Sequence, residues 1–276
     1  MTMFRFLKRD IRLGIINRSY LFIVAVIFSF VMAQHCSEAL YSLKEIKWIW
    51  SNGTVMDYYL FSVQGQSFYR FDPKQSFQLP LLWFVFQIGI SYYVAYYAQK
   101  DYVDNGVVVI SAGRSRSSWW ISKTIWCILS VLLYNLVAFV TCAMLAVFHG
   151  ASLSLLISSD FFQAQFGYNM KFVTSGDFIL IAVIVPIVIT IAICLVQLLL
   201  SFMISPVTSF ALICGLYVLS AYYTVWFLPG SFTMWLRSSY FDVNGLNPLS
   251  GLIIATFLSI SVCVIGREYF ANRDII

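Results

Sequence analysis

Charge is what this sequence has least of. Only 11% of its 276 residues are Asp, Glu, Lys or Arg, while 61% are hydrophobic and the mean hydropathy is +0.83. A soluble domain carries about 25% charged residues, so this chain lacks the means to cover a water-facing surface, and lipid is its expected solvent. The scarce charge is also segregated. Six segments, 19–36, 79–98, 124–148, 178–204, 207–228 and 249–266, contain no Lys, Arg, Asp or Glu at all. Each meets or approaches the roughly 20 apolar residues that a bilayer-crossing helix needs. A charge at the bilayer centre costs about 2.5–3.5 kcal/mol on insertion scales, so its absence from every run supports six spans.

Motifs that carry chemistry are missing too. The dipeptide Gly-Lys does not occur, which excludes a phosphate-cradling loop of the Gly-x-x-x-x-Gly-Lys type. There is no His-Glu-x-x-His run and no Cys-x-x-Cys pair. The two histidines, His35 and His149, sit near span ends without a ligand at helical spacing, where interface polarity explains them better than a metal does. Spans free of Asp and Glu argue against an acid-pair protease and against a proton-coupled carrier, which needs a titratable relay. No catalytic, cofactor-binding or metal-binding residue is therefore expected. Of the six cysteines, Cys127, Cys142, Cys194, Cys214 and Cys263 fall inside apolar runs, where a thiol behaves as a small apolar group. Only Cys36 lies near a boundary, and no disulfide framework is expected.

What charge there is sets an orientation. With the N-terminus inside, the cytoplasmic pieces are 1–18, 99–123, 205–206 and 267–276, and they hold eleven of the 17 basic residues. Both termini are then cytoplasmic. The expected class is an all-α, multi-pass membrane protein with an interfacial helix over 1–18 and a six-span domain over 19–276. In the first segment Phe4, Leu7, Ile11 and Ile15 share one helical face, and Arg5, Lys8, Arg9 and Arg12 lie on the other. That pattern predicts a helix lying in the inner interface against membrane lipid rather than a cleavable signal.

The outer loop over 37–78 carries Trp48, Trp50, Tyr58, Tyr59 and Tyr69, which reads as interfacial anchoring, with a lid as the alternative. Phe68 to Pro73 reads as an ordered turn. Asn135 and Gln197 lie within spans; each is expected to seek an interhelical hydrogen bond, with substrate contact the lesser reading. Pro186 is expected to kink its span, and Pro206 to open the next helix. The stretch 229–248 is too polar to cross and too apolar to be a free loop, which suggests short re-entrant or interfacial helices between spans five and six.

The segment 99–123 links spans two and three. It reads an Asp104-Asn105-Gly106 turn, then Val107-Val108-Val109-Ile110, then Gly113-Arg114-Ser115-Arg116, with Lys123 opening the third span. With the six-span layout, this resembles the permease subunits of ATP-binding-cassette exporters of the type-two permease superfamily. Their corresponding loop often has an acidic residue, a Gly, a short apolar segment, a Ser-Arg pair and a Lys. The 37–78 loop is longer than in the simplest members, and the stretch after Gly106 lacks a Thr and Glu often found there.

The resemblance implies a transmembrane dimer with a second permease, the same chain or a related one. It implies a separate P-loop ATPase that carries ATP and Mg and docks on a coupling helix. Asp104, Gly106, Val107, Val108, Ile110, Arg114, Ser115, Arg116 and Lys123 are the residues implied for that contact. The cargo would be amphipathic or hydrophobic (a peptide, an antimicrobial compound or a lipid-like species), exported across a plasma or inner membrane of bacterial type. No nucleic acid partner is expected. The competing reading of 99–123 is a basic loop that fixes topology and touches anionic lipid; for the whole chain it is an immunity or assembly component that binds a partner protein and moves nothing.

Overall fold

A computed structural model describes residues 2–69, 76–113, 115–167, 175–242 and 244–272, with the backbone alone at 2, 105–113, 175 and 272. The described residues form helices and connecting turns, with two isolated β-bridges and no strand. The α-helices are α1 (Thr2–Asp10), α2 (Ile23–Glu45), α3 (Val55–Ser62), α4 (Leu81–Gly113), α5 (Arg116–Phe148), α6 (Ser159–Phe166), α7 (Ser175–Ile179), α8 (Val185–Met203), α9 (Pro206–Tyr222) and α10 (Pro248–Asn272). The central pair is α5 and α8: α5 packs on α1, α2, α3, α4 and α10, and α8 packs on α4, α9 and α10.

Among the described residues five stretches are long and apolar enough to cross a bilayer: Ser19–Glu45, Leu81–Asp104, Arg116–Phe148, Gly176–Met203 and Pro248–Ala271. The sixth expected span, 207–228, is the shorter helix α9, which stops at Tyr222. At about 1.5 Å per residue its 17 residues rise about 25 Å, short of the roughly 30 Å hydrocarbon core. Chain beyond Tyr222 leaves the helix because Arg237 takes over the last carbonyls, as described below.

Local sequence explains the breaks. Ser205 accepts a hydrogen bond from the Thr208 N–H at 3.0 Å, and Pro206 opens α9 as expected. Pro186 stands in the first turn of α8, directly after a π-helical turn over Leu180–Ile184, so the disturbance lies on its N-terminal side. In 37–78 the first nine residues continue α2, and α3 is then wholly buried against α2 and α5. Its Thr54 and Asp57 make a reciprocal capping box. Tyr58 and Tyr59 are therefore core residues, whereas Trp48 and the 84%-exposed Trp50 remain available as anchors. The turn expected at Phe68–Pro73 falls largely outside the described residues. The stretch 229–248 holds two 3-10 turns, Pro229–Thr233 and Trp235–Arg237, both buried, so it folds into the bundle instead of lying on it.

The two ends of the bundle differ. At one end Phe61, Phe161, Phe162, Phe166, Phe178 and Trp235 form a continuous aromatic cluster, and the Trp235 indole donates to Leu60 O at 2.9 Å. At the other end α1, the α4–α5 junction, the end of α8 and the end of α10 converge. Trp119, Trp120, Phe202 and Phe270 pack there ring against ring.

Candidate functional site

The α4–α5 junction differs from its sequence-based picture in where the chain turns and in where Lys123 lies. Asp104-Asn105-Gly106 is not a turn: α4 runs unbroken from Leu81 to Gly113, and α5 restarts at Arg116. Ser115 caps α5, accepting from the Ser118 N–H at 3.2 Å. Two 33-residue helices thus form a hairpin. An apolar run ahead of a Gly that is followed by a capping Ser was the signal that α4 continues past 104–106 to Gly113 and that a new helix starts after Ser115.

Within this hairpin Asp104 is exposed. Gly106, Val107, Val108 and Ile110 occupy the last turns of α4, their side chains outside the described set, and Arg114 lies outside the described residues altogether. Arg116 reaches across to donate to Ala271 O of α10 at 3.3 Å. Lys123 does not open a span at a membrane surface. It sits two turns inside α5 and is fully buried.

Burial of an ammonium without partners would be prohibitive. Lys123 Nζ donates to Asp10 Oδ1 at 2.6 Å and to Asp101 Oδ2 at 2.7 Å. Arg9 closes a fork on Asp101, with Nη2 to Oδ1 at 2.6 Å and Nη1 to Oδ2 at 3.2 Å. Asp10 accepts further bonds from Ser122 Oγ at 2.7 Å and from the Tyr97 hydroxyl at 3.4 Å. Lys123 Nζ also lies 5.0 Å from the Tyr97 ring centroid and 5.5 Å from that of Trp119. Two cations meet two carboxylates, so the cluster is neutral as a whole. It joins α1, α4 and α5.

The cluster revises the amphipathic reading of the N-terminal segment. Arg5, Lys8 and Arg12 are exposed as expected, but Arg9 turns inward to Asp101. Phe4 is 75% exposed while Phe6, Asp10 and Ile15 are buried. Phe6, Arg9 and Asp10 already face inward within α1, and the π-helical stretch over Ile11–Ile16 that follows places Gly14 and Ile15 in the interior. Gly14 permits the close approach: a Cβ there would lie 2.4 Å from the Trp126 indole nitrogen and 2.8 Å from Tyr97. The Tyr93 hydroxyl donates to Gly14 O at 2.6 Å. Asp10 was not singled out from sequence. Its signal was present, since it is the one acidic residue before Glu38, set in a basic helix.

The polar groups inside the spans are also rearranged. Asn135 donates to Val131 O of its own helix at 2.9 Å, and among the described residues no interhelical bond of its amide is seen. It lines a groove of about 530 Å³ between α5 and the Val183–Ile187 region. Gln197 is fully buried, and neither of its amide atoms has a partner among the described residues. The interhelical amide is Gln87 on α4, whose Oε1 accepts from Thr190 Oγ1 of α8 at 3.2 Å and from the Tyr217 hydroxyl of α9 at 3.3 Å. Among the described residues no group of three or more His, Cys, Asp or Glu side chains is placed to hold a metal ion. Cys36, expected near a boundary, is buried in α2.

No protein-family model matches the chain, and no curated protein or solved structure matches it either.

Proposed function

We propose that this chain is the permease subunit of an ATP-binding-cassette exporter, and that the α4–α5 hairpin is the handle by which a separate P-loop ATPase moves it. The observation that carries this reading is the continuous hairpin braced at its root by the Asp10–Lys123–Asp101–Arg9 cluster. At about 1.5 Å per residue each 33-residue helix is about 50 Å long, so roughly 20 Å extends past a hydrocarbon core of about 30 Å. A helical lever of that length moves as a unit. Clamped to α1 by buried charge, it would carry a push at its tip into the bundle as a rigid-body tilt.

In this reading the hairpin tip and both termini are cytoplasmic, α9 completes six crossings, and the membrane is the cell membrane. ATP and Mg are held by the partner ATPase. A second permease, identical or related, forms the other half, with the path for an amphipathic or hydrophobic cargo between faces of α4 and α9. Spans without charge favour such a cargo over a small, highly charged one.

The test is purification in mild detergent from the native host, with partners identified by mass spectrometry and ATP hydrolysis assayed. A stoichiometric P-loop ATPase with turnover is the expected result. A preparation without ATPase, even after crosslinking, would refute the reading and leave a component that binds some other protein and transports nothing.

A further inference from the structure

A second polar site lies beside the buried cluster. The segment after α1 and the outward side of α4 bound an open groove of about 710 Å³. Asn17, Arg18 and Tyr20 form one wall, and Tyr97, Lys100 and Asp104 belong to the other. Asp101 also reaches the groove, but its charge is already met by Lys123 and Arg9. That leaves Arg18, Lys100 and Asp104, none of which forms an ion pair among the described residues. The guanidinium of Arg18 is held over the Tyr97 ring, 5.1 Å from its centroid, so one cation is fixed in place. The groove therefore carries one uncompensated positive charge and one carboxylate acceptor.

The surroundings point to an amphiphile. Tyr20 is 65% exposed beside the groove, and Ile16 and Ile23 of the same segment are exposed in the same way. An aromatic ring with exposed aliphatic neighbours at the end of a span is where a lipid changes from headgroup to chain.

We propose that this groove binds an anionic glycerophospholipid whose headgroup bears free hydroxyls, as in phosphatidylglycerol. The phosphodiester lies between Arg18 and Lys100, and the headgroup hydroxyls donate to Asp104. One negative charge cancels the one surplus positive charge. The carboxylate discriminates: it accepts from a hydroxyl and repels a second anionic group. The acyl chains run along the surface that begins at Tyr20 and Ile23. Asp104 is shared with the residues implied to meet an ATPase, but Arg18 and Lys100 belong neither to that set nor to the buried cluster, so their variants test this assignment apart from the transport reading.

The experiment uses the full chain in detergent, titrated separately with phosphatidylglycerol, phosphatidylcholine, phosphatidic acid and inorganic phosphate. Thermal shift and native mass spectrometry report binding. Phosphatidylglycerol should bind in preference to the other three, with affinity falling about fivefold in Lys100→Gln and again in Arg18→Gln. Asp104→Asn should narrow the preference over phosphatidic acid. Lys100 is exposed, so its variant tests the site even if Arg18→Gln loosens the Tyr97 contact. Equal binding of phosphatidylcholine, or undiminished phosphatidylglycerol binding in Lys100→Gln, would overturn the proposal. Inorganic phosphate binding as tightly as the lipid would make this a free-anion site and overturn it as well. Lys100→Gln should leave any ATPase association intact, which keeps this test separate from that of the transport reading.

Discussion

Lys123 sets its ammonium 2.6 Å from the carboxylate of Asp10, a residue 113 positions earlier in the chain. That contact, with the 2.7 Å bond to Asp101, fixes the N-terminal helix against the root of the α4–α5 hairpin. Removing one member of a buried ion cluster costs more than the pair itself contributes, because the remaining charges stay buried without compensation. Lys123→Met should therefore destabilise the protein by about 3–5 kcal/mol. Adding Asp10→Asn should restore part of the loss. Thermal unfolding in detergent measures both, and a double variant less stable than Lys123→Met would contradict a shared cluster.

Arg237 supplies the counterpart at the opposite end. It is 1% exposed and donates to Gln66 O at 2.9 Å, Ser220 O at 2.5 Å and Ala221 O at 2.6 Å. The last carbonyls of α9 carry the negative end of its dipole, so a cation fits there. Burial pushes the guanidinium pKa down to about 10, which leaves it charged at neutral pH. Arg237→Met should cost about 1–3 kcal/mol for each carbonyl that water does not reach. Arg237→Lys should recover only part of this, since an ammonium lacks the planar fork. Equal stability of the Lys variant and the parent would count against the fork geometry.

Asp57 gives a prediction in pH. Its carboxylate accepts from Thr54 N at 2.9 Å and Ser158 N at 3.0 Å, joining α3 to the segment before α6. Burial is the larger influence and raises its pKa, against the lowering by those N–H groups. The folded state thus holds the proton more tightly than the unfolded chain. The stabilisation is fully present below the unfolded value of about 3.9 and is lost as pH rises through the raised folded value. Asp57→Asn has no proton to lose, so its stability should fall less than that of the parent over the same rise in pH. Parallel pH profiles for the two proteins would show that folding leaves the Asp57 pKa unchanged and would contradict the raised value.

Gln87 is a weaker node. Thr190 keeps its 2.8 Å bond to Pro186 O when the amide is removed, so only the Tyr217 hydroxyl loses its partner. Interhelical hydrogen bonds in membranes average about 0.6 kcal/mol. Gln87→Leu should cost about 1 kcal/mol or less, and a loss several times larger would mean that the amide does more than join three helices.

These residues show what one sequence discloses. Charge-free runs located five long helices directly, because lipid imposes composition on every turn of a span. The end of α9 was not legible: 207–228 is apolar throughout, and what stops the helix at Tyr222 is a guanidinium from Arg237, fifteen residues later. The hairpin is legible but its turn is not: Asp104-Asn105-Gly106 has turn chemistry, yet α4 runs on to Gly113 and α5 begins at Arg116. Lys123 looked like a surface cation because its compensating carboxylates lie 113 and 22 positions away. Gln87 stood in an apolar run as Asn135 and Gln197 did, and only the packing of α4 on α8 and α9 distinguishes the amide that links helices from the two that do not.

In the proposed function an ATPase grips the α4–α5 tip. A photo-crosslinking residue placed at Ser115, the cap between the two helices, tests it most directly, with Trp50 at an exposed site on the 37–78 loop as the control. A crosslink from position 115 to a P-loop ATPase, and none from position 50, is the expected result. Capture of that ATPase from position 50 alone, or of no ATPase from either position in cells that express it, would contradict the account.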